Sequence, residues 1–291
     1  MMPGHAERPD RLRAIASYLT ASGLLGEFSE RETTPVDDVR LSSIHDAGYL
    51  KSLEALAPEV GIVAVDPDTA LGPASLTAAG LATGAVVDAV TAVLAGEAKT
   101  AFCAVRPPGH HAEHDAAMGF CFYNSIAIGA DAALAAGLKR VAILDFDVHH
   151  GNGTVEIMQD RPEVLVCSSF QHPYYPHRYF DLERPHIVNT PLPAGTGSAA
   201  FREAIERDWL PALEAHQPEL VLVSAGFDAH QDDPLAGLKL TEDDFRWITT
   251  LILEAAAASA EGRVVSALEG GYDLNALARS VGVHLEVLAG A

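Results

Sequence analysis

The chain has 291 residues, of which 48% are hydrophobic and 20% charged, and its formal net charge is −21. This composition is typical of a folded globular protein and argues against an intrinsically disordered one. A charge of this size and sign repels nucleic acid and anionic membrane, so we expect no direct contact with either and a preference for cationic partners. Solubility alone would explain the charge equally well.

The three cysteines, Cys103, Cys121 and Cys167, stand in apolar surroundings, and their odd number argues against a disulfide framework. The N-terminus resembles neither a signal peptide nor a transit peptide, and no apolar run reaches about 18 residues without a polar interruption. We therefore expect a cytoplasmic protein without a membrane span. The sequence leaves the oligomeric state open.

Short apolar runs alternate along the chain with longer segments rich in Ala and Leu. The predicted strands are Thr100–Val105, Val141–Phe146, Val164–Cys167, Leu220–Ala225 and Arg263–Leu268. The predicted helices lie around Ala74–Ala95, Ser125–Ala136, Ser198–Ala215 and Glu242–Ala260. Ser198 is a start signal for the third helix, and Thr241 with Asp244 is one for the fourth. Continuously apolar strands are typical of a parallel sheet buried on both faces, so we predict a three-layer α/β/α fold, with residues 1–291 as a single domain.

Polar side chains gather where these apolar strands stop. After the second predicted strand, Asp145, Asp147 and His149 alternate with other residues, so their side chains would project the same way. Three other strands are followed by titratable residues, in the segments Arg106–His111, Gly226–His230 and Glu269–Asp273. Open parallel sheets form their ligand sites at the carboxyl ends of strands, and together the four clusters predict an active site there.

The residue types at this edge indicate a metal hydrolase. Two carboxylates and one imidazole suit Zn²⁺ or another borderline divalent ion, and three protein ligands leave one position open for catalysis. Of the adjacent His110 and His111, one imidazole can deprotonate a water molecule, and a carboxylate such as Asp145 would keep the other charged. The hydroxyl of Tyr272 can donate to a developing oxyanion.

Several long segments of the sequence resemble the histone deacetylase superfamily, and in particular its class II and bacterial acetylpolyamine amidohydrolase branches. They follow the family's order along nearly the whole chain. The matching segments are Gly4–Arg11, Asp66–Thr69, Arg106–Ala112, Gly119–Cys121, Asp145–Thr154, Ser224–His230 and Leu268–Tyr272.

The resemblance implies the arginase/deacetylase fold, with a mostly parallel sheet of eight strands. Family members usually begin with a strand that precedes the element Gly-His-Pro-Glu-Arg-Pro, whereas this chain begins almost inside that element. We therefore expect the first strand to be missing or replaced. The resemblance also places one zinc ion per chain on Asp147, His149 and Asp228.

The same resemblance assigns the catalytic roles. His111 would be the general base and acid, with Asn152 holding it, and His110 would be its electrostatic partner, paired with Asp145. Tyr272 would polarise the substrate carbonyl. The resemblance further implies two sets of binding residues. The substrate would lie against Asp68, Phe120, Tyr175, Leu235 and Gly270. A structural potassium ion would be bound by the side chains of Asp145 and Ser168 and the carbonyls of Asp147 and His149.

We therefore predict a zinc-dependent deacetylase that hydrolyses the amide of an acetylated amine, either acetyl-lysine or a small acylated amine or polyamine. Two alternatives stay open. One is a manganese ureohydrolase on the same fold, which would bind two metal ions. The other is a member of the family that binds acyl ligands or a partner without catalysis.

Overall fold

The apolar runs at the centre of the chain form a parallel six-stranded sheet in the computed structural model, which describes residues 4–290. Its strands are β3 (Thr100–Cys103), β4 (Val141–Asp145), β5 (Val164–Gln171), β6 (Ile187–Leu192), β7 (Leu220–Ala225) and β8 (Val264–Leu268). Two further strands, β1 (Val63–Ala64) and β2 (Ala70–Leu71), pair with each other antiparallel and stand apart from this sheet.

Nine α-helices lie within the described residues. They are α1 (Asp10–Ser22), α2 (Asp38–Ile44), α3 (Ala47–Leu56), α4 (Ser75–Leu94), α5 (Ser125–Ala135), α6 (Asn152–Met158), α7 (Ser198–His216), α8 (Glu242–Ser259) and α9 (Leu274–Ala289). A short 3₁₀ helix, Leu24–Glu27, follows α1.

Alternate side chains of each strand point into two separate apolar cores. Ile143 of β4 packs in one core with residues of α2 to α6, whereas Leu144 packs in the other with residues of α1, α7, α8 and α9. Every residue of β4 is buried, as expected for a central strand covered on both faces. The prediction of a three-layer α/β/α arrangement is confirmed.

The predicted eight-stranded sheet is wrong for the part of the chain that the structure describes. The sheet begins with β3, and residues 10–56 are mainly helical. Among the described residues, the two strands that precede β3 pair with each other in a separate hairpin and do not join the sheet. Sequence patterns also missed β6, which lies at the edge of the sheet and is only partly buried.

Helix starts were predicted with mixed success. The side chains and backbones of Thr241 and Asp244 form a reciprocal capping box at the start of α8, as the spacing predicted. At α7 the cap position is occupied by Gly197, and Ser198 is the first helical residue. The Ser198 hydroxyl donates instead to the carboxylate of Asp244, 2.7 Å away, and so links the two helices.

Among the described residues, α4 is the one helix long and apolar enough to cross a membrane by length and composition. It packs against α5, β3 and β8, and half of its most apolar window is buried inside the protein. These contacts are those of a core helix in an α/β fold.

The strand order β3-β8-β7-β4-β5-β6 brings the polar strand-end clusters together. The loops after β3, β8, β7 and β4 leave four consecutive strands at the same edge, because all of these strands run parallel. Residues separated by more than 100 positions in sequence therefore meet at the carboxyl end of the sheet.

Shortening Ile143 to Ala should destabilise the protein by about 2–5 kcal/mol, because the buried side chain at the sheet centre would leave a cavity. Urea unfolding of both proteins measures the change. Val39→Ala is the matched control: this side chain is 80% exposed, so its loss should change the free energy of unfolding by less than about 0.5 kcal/mol. Equal effects of the two substitutions would contradict the assignment of Ile143 to the core.

His284 should make the protein less stable as the pH falls. Thr249 donates its hydroxyl to a backbone carbonyl and so accepts from Nδ1 of His284, while the Ser266 hydroxyl donates to Nε2, which favours the neutral ring. Burial lowers the pKa of His284 to about 3, from an ordinary value of 6.5. Below pH 6.5 the unfolded chain would bind a proton that the folded protein does not, so the free energy of unfolding should decrease towards pH 4.

The measurement is urea unfolding between pH 7 and pH 4. His284→Gln should flatten this dependence by up to about 1.4 kcal/mol per pH unit. Parallel curves for the two proteins would show that His284 is not held neutral.

Candidate active site

Three of the residues at the carboxyl edge of the sheet form a compact cluster of potential metal ligands. One ligand atom from each of Asp147, His149 and Asp228 lies within 4.8 Å of the others, and all three residues are buried. Nδ1 of His149 is 3.1 Å from Oδ1 of Asp147 and 3.1 Å from Oδ2 of Asp228. Asp147 and His149 follow β4, and Asp228 follows the adjacent strand β7.

Backbone groups hold these carboxylates in place. The amide of Val148 donates to Oδ1 of Asp228 at 2.9 Å, and the amide of Gly270 donates to Oδ2 of Asp147 at 2.8 Å. Only glycine fits at position 270, because a Cβ there would collide with the carboxylates of Asp228 and Asp147. The loop after β8 therefore closes directly over the cluster.

The chemistry of this cluster fits a divalent cation. In the described part of the chain, Asp147 and Asp228 pair with histidines and backbone N–H groups and with no Lys or Arg. Burial raises the pKa of Asp228, and the neighbouring charge of Asp147 raises it further. Two buried carboxylates beside one imidazole make a donor set of the kind that Zn²⁺ and similar ions bind.

His110 and His111 lie beside the cluster, and the centroids of their rings are 4.0 Å apart. Nδ1 of His110 is 2.9 Å from Oδ2 of Asp145, and Nδ1 of His111 is 2.7 Å from Oδ1 of Asn152. The His111 ring centroid is 5.8 Å from that of His149. The structure thus brings both predicted dyads to the candidate metal site.

The two imidazoles have opposite electrostatic environments. Burial disfavours the charged form of His110, but the carboxylates of Asp145, Asp147 and Glu269 outweigh it and raise its pKa well above the ordinary value. Burial lowers the pKa of His111 well below the ordinary value, and the positive charge on His110 lowers it further. The pair therefore combines a charged ring with a neutral one, which is the arrangement expected of an electrostatic partner and a general base.

Tyr272 is positioned by contacts on both sides of its loop. The backbone amide of Tyr272 donates to Oδ2 of Asp233 at 2.7 Å. Arg11 donates from Nε to the carbonyl of Gly271 at 2.7 Å, and its guanidinium carbon lies 5.0 Å from the centroid of the Tyr272 ring. Burial raises the pKa of Tyr272 well above its usual value, and the negative charge of Asp228 raises it further. The phenol therefore keeps its proton.

The predicted substrate-binding residues contact residues of the site or their immediate neighbours. Phe120 packs edge-on against Tyr272 with ring centroids 6.0 Å apart, and Tyr175 packs edge-on against His111 at 5.3 Å. Asp68 is partly buried, and Thr69 links it to Phe120. The hydroxyl of Thr69 donates to the Asp68 carboxylate and accepts from the Phe120 amide. Leu235 is also partly buried, and its carbonyl accepts from the Tyr174 hydroxyl.

The residues predicted to bind potassium lie behind the metal cluster. Asp145 and Ser168 are paired neighbours in β4 and β5 and are both buried. Oδ1 of Asp145 accepts from the Asp147 amide at 3.1 Å, and the Ser168 hydroxyl accepts from the Gly151 amide at 3.4 Å. The structure therefore brings these side chains together beneath the turn that carries Asp147 and His149.

Several buried charged residues at the site received no role in the sequence analysis. They are Glu7, Arg11, Glu113, Asp233 and Glu269. Glu269 accepts from the amides of Gly109 and His110 at 2.6 and 3.2 Å, and Glu7 pairs with Arg106 through both oxygens. Each lies inside a segment that resembles the family or within a few residues of one. Glu7 and Arg11 are 3.7 Å apart and four residues apart in sequence, but most other partners of these residues are distant in sequence. Position alone gave no sign of the pairing.

Comparisons with known proteins indicate the family to which the chain belongs. The family model of the histone deacetylase domain matches residues 5–288. The histone deacetylase-like amidohydrolase of Pseudomonas aeruginosa is 43% identical over 277 residues, which cover 92% of this chain and 73% of that protein. A probable deacetylase of Archaeoglobus fulgidus is 34% identical over 283 residues, which cover 94% of this chain and 77% of the relative.

The similarity extends to three-dimensional structure. The crystal structure of the HDA15 HD domain superimposes with a TM-score of 0.92 at 34% sequence identity, covering 99% of this chain and 85% of that one. The family model, the relatives and the superposition agree on one assignment: the chain belongs to the histone deacetylase family.

Proposed function

We propose that this protein is a zinc-dependent deacetylase that hydrolyses the amide bond of an acetylated amine. The observation that carries the proposal is the arrangement of two unlike imidazoles beside one buried Asp-His-Asp cluster. Nδ1 of His110 faces a carboxylate and Nδ1 of His111 faces an amide oxygen, while their rings contact each other. Membership of the histone deacetylase family supports the same reaction class.

In this proposal Asp147, His149 and Asp228 hold the zinc ion. When bound, the ion supplies a Lewis acid that lowers the pKa of water and polarises a carbonyl group. A potassium ion at Asp145 and Ser168 is part of the proposal, with a structural role.

The side chains of this chain carry out the proton transfers. Neutral His111 accepts a proton from the attacking water and later donates it to the leaving amine. His110, kept charged by Asp145, stabilises the negative charge that develops beside it. The Tyr272 hydroxyl donates a hydrogen bond to the oxygen of the substrate carbonyl as that oxygen becomes an oxyanion. Phe120 and Tyr175 line the approach and exclude water from the substrate stem.

The proposed substrate is a cationic acylated amine, such as acetyl-lysine or an acetylated polyamine. The net charge of −21 would attract such a molecule, and the partly buried Asp68 would lie at the entrance to the site. The same charge disfavours direct binding to nucleic acid or to a membrane. We propose a cytoplasmic location.

Metal analysis should find one tightly bound divalent ion per chain, because the described residues contain a single cluster of suitable ligands. Chelation should abolish activity on an acetyl-lysine reporter, and added Zn²⁺ should restore it. Chelation should also lower the thermal midpoint, since an ion present at 1,000 times its Kd stabilises the folded state by about 4 kcal/mol.

Asp228→Asn should lose both metal and activity, whereas Asp232→Asn, the same change at an exposed position of the same loop, should lose neither. Two tightly bound ions per chain would contradict the proposal and favour a ureohydrolase. A folded, metal-loaded protein that turns over neither acetyl-lysine peptides nor acetylated polyamines would favour a non-catalytic role.

Tyr272→Phe should lower kcat by roughly 10²–10³, because one donor to the oxyanion is lost while the substrate still binds. His111→Ala should lower kcat by roughly 10²–10⁴, the usual contribution of a general base. Steady-state kinetics on an acetyl-lysine reporter measures both. Tyr18→Phe removes a hydroxyl from a partly buried tyrosine outside the site and should have little effect. Full activity in both Tyr272→Phe and His111→Ala would overturn the mechanism.

A further inference from the structure

Glu113 is a buried carboxylate that the mechanism above does not use. Its side chain is 3% exposed, and its two oxygens accept from different residues. Nδ2 of Asn152 donates to Oε1 at 2.7 Å, and Arg178 donates to Oε2 at 2.8 Å. Asn152 in turn faces His111, so Glu113 stands one residue behind the proposed general base.

The contacts of Asn152 determine which way its amide points. Three acceptors surround its nitrogen: Oε1 of Glu113 at 2.7 Å, Sδ of Met118 at 3.2 Å and the carbonyl of His111 at 3.4 Å. An amide nitrogen only donates and an ionised carboxylate only accepts, so the nitrogen must lie on this side. The amide oxygen of Asn152 therefore faces Nδ1 of His111, at 2.7 Å.

An amide oxygen only accepts, so Nδ1 of neutral His111 must carry the ring proton, which leaves Nε2 with a free lone pair. We propose that Glu113 is a positioning residue that fixes this tautomer of His111 by orienting the amide of Asn152. The proposed function gives the tautomer its consequence, because only the unprotonated Nε2 could accept a proton from water. The tautomer itself is a property of the folded protein and does not depend on that function.

Arg178 makes the effect of a substitution at Glu113 predictable. Arg178 belongs to the loop between β5 and β6, and its guanidinium group only donates. In Glu113→Gln, the new side-chain oxygen would face Arg178 and its NH₂ group would face Asn152. Asn152 would then turn its oxygen towards the NH₂ group of Gln and its own NH₂ group towards His111. This turn gives up its weaker contacts with Sδ of Met118 and the carbonyl of His111, at 3.2 and 3.4 Å. Nδ1 of His111 would have to accept, and the proton would move to Nε2.

The first measurement is the tautomer, read from long-range ¹H–¹⁵N correlations of the imidazole rings with and without bound Zn²⁺. The signals of His111 are identified by their loss in His111→Gln. We expect Nδ1–H in the unsubstituted protein and Nε2–H in Glu113→Gln. Glu156→Gln is the matched control, since Glu156 is a partly buried glutamate on α6 that accepts from the His114 amide, and it should leave the tautomer unchanged.

The second measurement is a rescue that loss of structural support alone would not produce. An aspartate at position 152 accepts on both oxygens, so Glu113→Gln combined with Asn152→Asp should restore Nδ1–H at His111. A wrong tautomer in a catalytic triad costs about 10⁴ in kcat, so Glu113→Gln should lower kcat at least tenfold, with KM changed less than about twofold. The kcat of the double variant should be at least about tenfold higher than that of Glu113→Gln.

The two proposals fail in different ways. Retention of Nδ1–H in Glu113→Gln, or Nε2–H in the double variant, would overturn the role of Glu113 whatever the activity. If Glu113→Gln does not fold, as judged by its thermal midpoint, the double variant alone carries the test and must show Nδ1–H. If the tautomers follow the prediction but the unsubstituted, zinc-loaded protein hydrolyses no acetylated amine, then the proposed function is wrong and the tautomer assignment stands.

Discussion

Four carboxylates are buried close together at the carboxyl edge of the sheet, and the rest of the site must compensate their negative charge. Asp145, Asp147, Asp228 and Glu269 are each at most 1% exposed. Like charges repel strongly where water is excluded, and an uncompensated buried carboxylate is costly. The structure compensates with imidazoles and directed backbone N–H groups, and the cluster of Asp147 and Asp228 has the composition of a cation site.

This constraint explains how two adjacent residues of the same type acquire different properties. His110 faces three of the carboxylates and is held charged, whereas His111 faces a neutral amide and the charged ring of His110. Burial acts on both rings in the same direction, so the difference comes from their partners. Exchanging the two environments would require moving Asp145 and Asn152, which come from different elements.

The sequence was sufficient for the central features of the fold and for most of the candidate site. Continuous apolar runs predicted β4, β5, β7 and β8, because strands covered on both faces leave little room for polar residues. The number of strands was wrong because it was taken from the family resemblance. The described residues before β3 form helices and one separate hairpin, and the partly polar β6 lacks the apolar signal on which strand prediction depends.

The residues that prediction missed share one physical property. Arg11, Glu113 and Glu269 act through pairs that lie far apart in the sequence: Arg11 contacts the Gly271 carbonyl 260 positions away, and Glu269 reaches the Gly109 amide across 160. Spacing rules describe neighbours on one helix or strand, so they contain no information about such pairs. Their positions follow only once the sheet order is known.

That order has a chemical consequence beyond packing. The loop after β3 carries both histidines, and Glu269 from the loop after β8 fixes it through the amides of Gly109 and His110. The loop after β8 also carries Tyr272, and the Gly270 amide ties it to Asp147. A shift of one strand relative to its neighbour would therefore move the proposed base, the proposed oxyanion donor and the proposed metal ligands relative to each other. The register of β3, β8, β7 and β4 thus sets the geometry of the candidate site, and it explains why polar groups that contribute little to the apolar core are nonetheless buried within it.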